Sequence, residues 1–142
     1  MKSQKGITLI SLTIYIIAML IVISIMATLS VFFYNNVYGL RKQSENAAEY
    51  SKFDSEFLEE IKKPGNKVIE PVDNQPANII IFSSGVQFSF QDGKIYKDQV
   101  KICDNVTEVE FKVDKKIGKT IVGVRIIIGG DFTKVTSYTM NY

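Results

Sequence analysis

The stretch KGITLISLTIYIIAMLIVISIMATLSVFFY, residues 5–34, decides the fold. From Ile7 to Tyr34 it runs for 28 positions without a charged residue, a proline or a glycine. About 20 apolar residues in a helix are enough to cross the hydrocarbon core of a bilayer. In a chain of 142 residues, too little sequence remains to surround such a helix in a soluble core. A membrane-spanning helix over residues 7–34 is therefore predicted.

A cleaved secretory signal is the competing interpretation of this stretch. Its apolar region is roughly 7–15 residues long, and a small-x-small cleavage site follows it. Here the apolar run is longer, and the small residues of Ala27-Thr28-Leu29-Ser30 lie inside it. The segment is therefore expected to stay in the mature protein. Lys2 and Lys5 precede it, and the positive-inside rule places them in the cytoplasm, with the rest of the chain exported.

Residues 35–63 continue the helical pattern but become amphipathic. Apolar residues recur at spacings of three and four and so share one helix face, which is predicted to pack on a sheet. Pro64-Gly65 ends the helix. The packing face consists of Ala47, Tyr50, Phe53, Phe57 and Ile61, and the densest acidic group, interpreted as a solvated face, is Asp54, Glu56, Glu59 and Glu60.

Beyond Pro64 the pattern changes to that of strands. Asp92-Gly93, between two alternating segments, is a strong signal for a hairpin turn. In TEVEFKVD, Val109, Phe111 and Val113 alternate with charged residues, which predicts one buried face. The fold class is therefore α+β: a long N-terminal helix, with a transmembrane half and an amphipathic half, packed on a small C-terminal antiparallel sheet.

Composition argues against an enzyme and predicts no cofactor and no metal site. There is no histidine, so nucleophile–histidine pairs are excluded. The single cysteine, Cys103, excludes an intrachain disulfide and is expected to be a small buried or half-buried side chain. The formal net charge of +2 predicts no strong field for nucleic acid. A weak candidate for nucleic-acid contact is the lysine cluster around a predicted hairpin, Lys112, Lys115, Lys116 and Lys119, which is more simply a solubilising and edge-protecting feature.

Lys5-Gly6 followed by Ile7-Thr8-Leu9-Ile10 resembles the processing site of type IV prepilins and type II secretion pseudopilins. The resemblance implies that a prepilin peptidase cuts between Gly6 and Ile7 and methylates the new amino terminus at Ile7. The order of helix, loop and sheet is that of the pilin fold. Residues 86–114, VQFSFQDGKIYKDQVKICDNVTEVEFKVD, resemble the C-terminal part of J-type and PilW-type minor pilins, and a comparable stretch occurs in competence pseudopilins of the ComGF type.

The sequence departs from the family pattern at Ser11. Most members carry a glutamate at the fifth position after the cut, where it pairs with the free amine of a neighbouring subunit. Here that position is Ser11, whose hydroxyl can bond to the helix backbone instead. Within the family, loss of this glutamate is associated with minor subunits, including one at the filament tip. The proline that often kinks the membrane segment of major pilins is also missing from residues 7–34.

The resemblance implies a structural subunit rather than a catalyst. The expected organisation is a leader over residues 1–6, a transmembrane segment over 7–34, an amphipathic exported half over 35–63 and a β-rich exported domain over 64–142. Expected partners are prepilin peptidase, other pilins or minor pilins, a membrane assembly platform and the lipid bilayer. Two alternatives stay open: an uncleaved single-pass protein that presents a small exported binding domain, and a DNA-binding subunit of an uptake filament.

Overall fold

The computed structural model describes residues 3–72 and 74–141, with side chains for residues 8–72 and 74–140. One helix, α1 (Ser3–Ile61), precedes the strands. The contacts divide the chain into two units, Met1–Lys42 and Gln43–Tyr142. The last part of α1 and every described strand belong to the second unit.

Helix α1 ends at Ile61, close to the predicted Pro64-Gly65 boundary. Gly65 has φ of 74°, a left-handed conformation that glycine adopts without steric cost. Just beyond it, the Asn66 side chain donates through Nδ2 to the Glu60 carbonyl oxygen at 3.0 Å. The end of the helix is therefore closed by a turn and by a side-chain cap on one of its last carbonyls.

The strands form two antiparallel meanders. Five short strands follow one another in a first sheet, ordered β1-β2-β3-β4-β5, and three long strands form a second, ordered β6-β7-β8. The strands of the first sheet are β1 (Val68–Glu70), β2 (Ile79–Phe82), β3 (Gln87–Gln91), β4 (Lys94–Lys97) and β5 (Val100–Cys103). Those of the second are β6 (Val106–Lys116), β7 (Lys119–Ile128) and β8 (Phe132–Asn141). The segment before β2 joins the sheets, because Ala77 forms an antiparallel bridge with Phe111 of β6.

The hairpin predicted at Asp92-Gly93 connects β3 and β4. Gln91 faces Lys94 across the ladder, so the two turn residues are the only ones between the strands. Asp92 has φ of 50° and Gly93 φ of 73°, the pair of positive angles that a type I′ turn requires. This part of the sequence pattern is confirmed.

One hydrophobic core lies between the end of α1 and both sheets. Alternate residues of β6 and β7 face it, including Val109, Phe111 and Val113, which are buried as the alternation predicts. From the helix, Phe53 and Phe57 are fully buried in the same core. The α+β prediction is confirmed: a long apolar N-terminal helix packs, through its last part, against antiparallel strands, an arrangement consistent with a pilin-like fold.

Candidate functional site

The apolar segment of α1 leaves its large side chains exposed. Among the described residues, one helix is long and apolar enough to cross a membrane, and none of its most apolar window is buried within the chain. Leu9 is 69% exposed, and Phe33 is 64% exposed. A soluble core helix would bury this surface, so that alternative does not describe the segment. Length and composition are those of a membrane span.

Four hydroxyl groups within this segment donate to carbonyl oxygens of the helix itself. Thr13 donates to the Leu9 carbonyl oxygen at 2.9 Å. Ser24 donates to the Leu20 carbonyl in the same way at 2.8 Å. Because lipid offers no hydrogen-bond partner, such bonds allow small polar residues to face hydrocarbon at little cost. The same four-residue pattern holds for Thr28 with Ser24 and for Ser30 with Met26.

The predicted processing residues lie at the edge of what the structure describes. Lys2 lies outside the described residues, and Lys5, Gly6 and Ile7 lie outside those with described side chains. Ser11 is exposed on the helix. Cleavage between Gly6 and Ile7, methylation of Ile7 and the role of Ser11 therefore stay predictions.

The helix face predicted to pack on the sheet meets both meanders. Phe53, Phe57 and Ile61 are buried, and Tyr50 is half-buried. The Phe57 ring centroid lies 5.1 Å from that of Phe88 in the first sheet and 5.0 Å from that of Tyr138 in the second. This face therefore holds the two sheets on one helix.

Two polar residues of this face were not predicted to be buried. Asn46 is 3% exposed, whereas its neighbour Ala47, assigned to the packing face from its spacing, is exposed. The Asn46 Nδ2 atom is 3.4 Å from the Ile128 carbonyl oxygen. A Cβ atom on Gly129 would lie 2.6 Å from that same nitrogen. A side chain at position 129 would have to displace the Asn46 amide, and the φ of 63° at Gly129 also favours glycine. The Asn46 amide thus connects the helix to the β7–β8 turn.

Glu60 is the second buried polar residue, and its assignment to a solvated acidic face is wrong. It is fully buried, and its carboxylate accepts hydrogen bonds from Lys63 at 2.5 Å, from Asn66 at 2.7 Å and from Ser84. Burial alone raises the pKa of this carboxyl group. The hydrogen bonds and the Lys63 charge outweigh burial, so the pKa lies below its usual value. The network ties the end of the helix to the β2–β3 turn.

The four lysines proposed as a weak nucleic-acid site surround the β6–β7 hairpin. Lys116 faces Lys119 across the ladder next to the turn, and Lys115 precedes them, while Lys112 lies further along β6. All four are exposed. Lys116 is paired with Asp114 at 3.1 Å, which reduces the positive charge at the turn. The cluster is thus an exposed, partly compensated basic surface.

Cys103 is a buried thiol at the end of β5 and has 1% of its surface exposed. Burial raises its pKa to about 12, with a further rise from the Glu49 charge. The thiol is therefore protonated at neutral pH and is no nucleophile. In the part of the chain that the structure describes, no group of three potential metal-binding side chains comes together.

The sequence matches no protein-family profile, and no curated protein or solved structure is a significant match. What the chain does is therefore inferred from its own residues and its fold.

Proposed function

We propose that this chain is a minor pilin or pseudopilin, a structural subunit of a type IV pilus, a type II secretion pseudopilus or a competence pseudopilus. The observation that carries the proposal is a single helix with two kinds of surface. Its first part is apolar and exposed, and its last part packs on antiparallel strands. A subunit built in this way can sit in the bilayer before assembly and contact neighbouring helices after it.

The residues before the apolar segment support processing by prepilin peptidase. Lys5-Gly6-Ile7 has the order of a basic leader that ends in glycine, followed by the retained apolar segment. Gly6 suits the site because a residue without a side chain lets the backbone enter a narrow active site. On this proposal the mature chain begins at a methylated Ile7.

The orientation proposed is N-in and C-out in the cytoplasmic membrane. Lys2 and Lys5 favour a cytoplasmic amino terminus. A platform protein and a cytoplasmic ATPase then supply the force that draws subunits into the filament, and the exported domain reaches its surface. Partners in the filament are other pilins or minor pilins.

Ser11 supports a minor role, at the tip or in priming. A glutamate at this depth costs roughly 2.5–3.5 kcal/mol in the bilayer unless it is paired. A subunit with no neighbour ahead of it has no amine to neutralise, so serine avoids that cost. Ser11→Glu is expected to be tolerated where a neighbour's amine is available and to impair membrane insertion where none is.

The first test is the intact mass and N-terminal sequence of the protein extracted from its own membranes. A chain that begins at methylated Ile7 supports the proposal. A chain that still begins at Met1 overturns it and leaves an uncleaved anchored domain. Cleavage after Ala27 or beyond would identify the apolar stretch as a signal peptide. Gly6→Leu serves as the control, since it should block processing and leave the leader attached.

A further inference from the structure

A cleft lies on the outer face of the first sheet, away from the hydrophobic core. Side chains alternate across a strand, so the burial of Phe88 in β3 and of Ile95 in β4 places their neighbours on the opposite face. Ser89 and Tyr96 are such neighbours, and they face each other across the ladder. The cleft around this pair has a volume of about 400 Å³, within the range of small-molecule sites.

Glutamines and turns form the two ends of the cleft. Gln87 and Gln91 flank Ser89 on β3, and at the rise of a strand they are about 13 Å apart. The turn at Asp92 lies at one end, and the β4–β5 turn that contains Asp98 lies at the other. The cleft is therefore long enough for a short oligomeric ligand that lies along β3.

Most polar groups in the cleft are not used by the fold. Asp98 accepts a hydrogen bond from the Gln87 N–H through Oδ1 at 3.0 Å, and its second carboxylate oxygen is available to a ligand. Among the described residues, the hydroxyls of Ser89 and Tyr96 have no hydrogen-bond partner, and neither do the side-chain amides of the glutamines that line the cleft. Those glutamines are Gln87, Gln91 and Gln99.

The outer face of the second sheet is different. There the Arg125 guanidinium lies 3.9 Å from the Glu110 carboxylate and 4.0 Å from that of Glu108, so charged side chains compensate one another within the chain. Ile121 and Ile127 of β7 are half-buried on the same face. The cleft of the first sheet instead presents hydrogen-bond donors and acceptors to whatever occupies it.

The charge of the lining excludes several classes of ligand. Among the described residues that line the cleft there is no lysine or arginine, and the carboxylates of Asp92 and Asp98 disfavour phosphates, nucleic acids and other anions. Lys101 faces Tyr96 from β5, but it is paired with Asp104 at 2.7 Å. No aliphatic side chain is among the described lining residues either, so the cleft offers no pocket for a lipid tail or an apolar peptide side chain.

We propose that this cleft binds a neutral oligosaccharide. Amides and hydroxyls both donate hydrogen bonds to saccharide hydroxyls and accept them, and the Asp98 carboxylate accepts them. The electron-rich face of an aromatic ring attracts polarised C–H bonds, so one sugar ring contacts Tyr96. This inference does not depend on the proposed function, since the cleft lies wholly within the unit Gln43–Tyr142.

The test titrates the full chain with four neutral oligosaccharides: maltotriose, mannotriose, N-acetyllactosamine and triacetylchitotriose. The micelles consist of a detergent without a sugar headgroup, such as lauryldimethylamine oxide, because a maltoside would compete for the cleft. Chemical shifts of the glutamine side-chain amides are followed up to about 10 mM ligand, which makes a dissociation constant of about 1 mM measurable. At least one neutral oligosaccharide should saturate these shifts, and a sialylated trisaccharide should bind about tenfold more weakly.

Two matched pairs of variants place the binding in the cleft. Ser89→Tyr fills its middle and should raise the dissociation constant at least about tenfold. Its control is Ser137→Tyr, which places the same ring on the outer face of the second sheet, where Ser137 is exposed next to the buried Tyr138. Gln91→Ala removes one neutral hydrogen-bonding group and should raise the dissociation constant about threefold. The exposed Gln75 lies outside the cleft, so Gln75→Ala should leave it unchanged.

Asp98→Asn tests the charge of the site. The variant keeps an oxygen that can accept the Gln87 N–H but removes the negative charge. Binding of the neutral oligosaccharide should weaken about tenfold, and the preference for it over the sialylated trisaccharide should become smaller. A purely structural role of Asp98 would not change that preference.

Three results would overturn the proposal. None of the four neutral oligosaccharides could bind up to about 10 mM. The sialylated trisaccharide could bind as tightly as the neutral ones. Finally, Ser89→Tyr could weaken binding no more than Ser137→Tyr does. Near-ultraviolet circular dichroism checks that each variant is folded, and if Ser89→Tyr is not, the comparison of Gln91→Ala with Gln75→Ala decides.

Discussion

Residues 8–42 and residues 43–61 belong to the same helix but place their side chains in different surroundings. In the first segment, the large apolar side chains are exposed. In the second, Phe53, Phe57 and Ile61 are buried under the strands. Individual side-chain hydrogen bonds show the same contrast. Thr13 and Ser24 bond to their own helix, whereas Tyr50 bonds to β8.

The difference shows which surfaces are completed within the chain. The second segment is packed in the hydrophobic core, so its contacts determine the stability of the unit Gln43–Tyr142. The first segment has no such core, so its apolar surface requires something outside the chain, either lipid or other helices. Substitutions of the same residue type in the two segments should therefore have different effects, and matched pairs can test this.

The largest difference is expected between Phe57→Ala and Phe33→Ala. Phe57 has 0% of its surface exposed, and its ring centroid lies 5.2 Å from that of Phe53, whereas Phe33 is 64% exposed. Removal of a buried phenyl ring costs about 3–5 kcal/mol of unfolding free energy. Exposed substitutions stay within about 0.5 kcal/mol. Denaturant unfolding of the full chain in micelles measures the unfolding free energy of each variant. Similar losses for the two variants would show that the segments do not differ in this way.

Apart from Ala47, which is exposed, the apolar positions of both segments could be predicted from the sequence, but the buried polar ones could not. Helical spacing placed Phe53 and Phe57 in the core because apolar residues three or four positions apart line one face of a helix. Asn46 and Glu60 give no such signal, since each resembles the polar residues of a solvated face. Their burial depends on partners distant in sequence, Gly129 and Ser84, whose positions only the fold determines.

The division of the strands into two sheets was also beyond the sequence pattern. Alternation identifies a strand and its buried face but not its neighbour, and hairpin turns such as Asp92-Gly93 fix only adjacent pairs. The break between β5 and β6 is a two-residue connection, Asp104-Asn105. Asn105 has φ of 58° and its carbonyl accepts the Gly129 N–H at 2.8 Å. Its backbone thus contacts the β7–β8 turn, a long-range bond that alternation does not reveal.

Glu60→Gln tests the buried carboxylate and should cost about 1.5–3 kcal/mol of unfolding free energy near pH 7, because hydrogen bonds to a charged group are lost. The control is Glu59→Gln, an exposed neighbour that should change little. The pKa of Glu60 is lower in the folded chain than its usual 4.5. Its contribution is therefore complete above that value and is lost as pH falls through the folded-state pKa.

The pH dependence of stability, compared between the unmodified protein and Glu60→Gln, gives a second measurement. Unfolding free energies are measured from about pH 7 down to about pH 3. The unmodified protein should lose stability faster than Glu60→Gln, so the difference in unfolding free energy between the two proteins should become smaller as the pH falls. Other carboxyl groups, including Asp104 with its lowered pKa, are present in both proteins and cancel in the difference. A difference in unfolding free energy that stays constant across this pH range would contradict a charged, stabilising Glu60.

Asn46→Ala and Asn36→Ala form the third pair. Both change an asparagine within α1, so the gain in helix propensity is shared. Asn36 donates to the Phe32 carbonyl of its own helix at 2.9 Å, and its loss should leave the unfolding free energy unchanged or slightly higher. Loss of Asn46 leaves the Ile128 carbonyl and the Asn105 amide without this contact, at a net cost of about 1–2 kcal/mol. If thermal unfolding shows the same change in stability for Asn46→Ala and Asn36→Ala, the contacts of Asn46 with the β7–β8 turn do not stabilise the fold.

The smallest difference is expected between Tyr50→Phe and Tyr34→Phe, since each change removes one oxygen atom. Tyr50 is half-buried and its hydroxyl lies 2.6 Å from the Thr136 hydroxyl, which joins the helix to β8. Tyr34 is 72% exposed in the apolar segment. Loss of one such hydrogen bond costs about 0.5–1.5 kcal/mol, so Tyr50→Phe should lower the unfolding free energy by that amount and Tyr34→Phe should not change it. Hydrogen exchange gives the local test, because the β8 amides should exchange faster in Tyr50→Phe alone. Unchanged exchange in β8 would mean that its attachment to the helix depends on Tyr138 and the apolar contacts, and not on Tyr50.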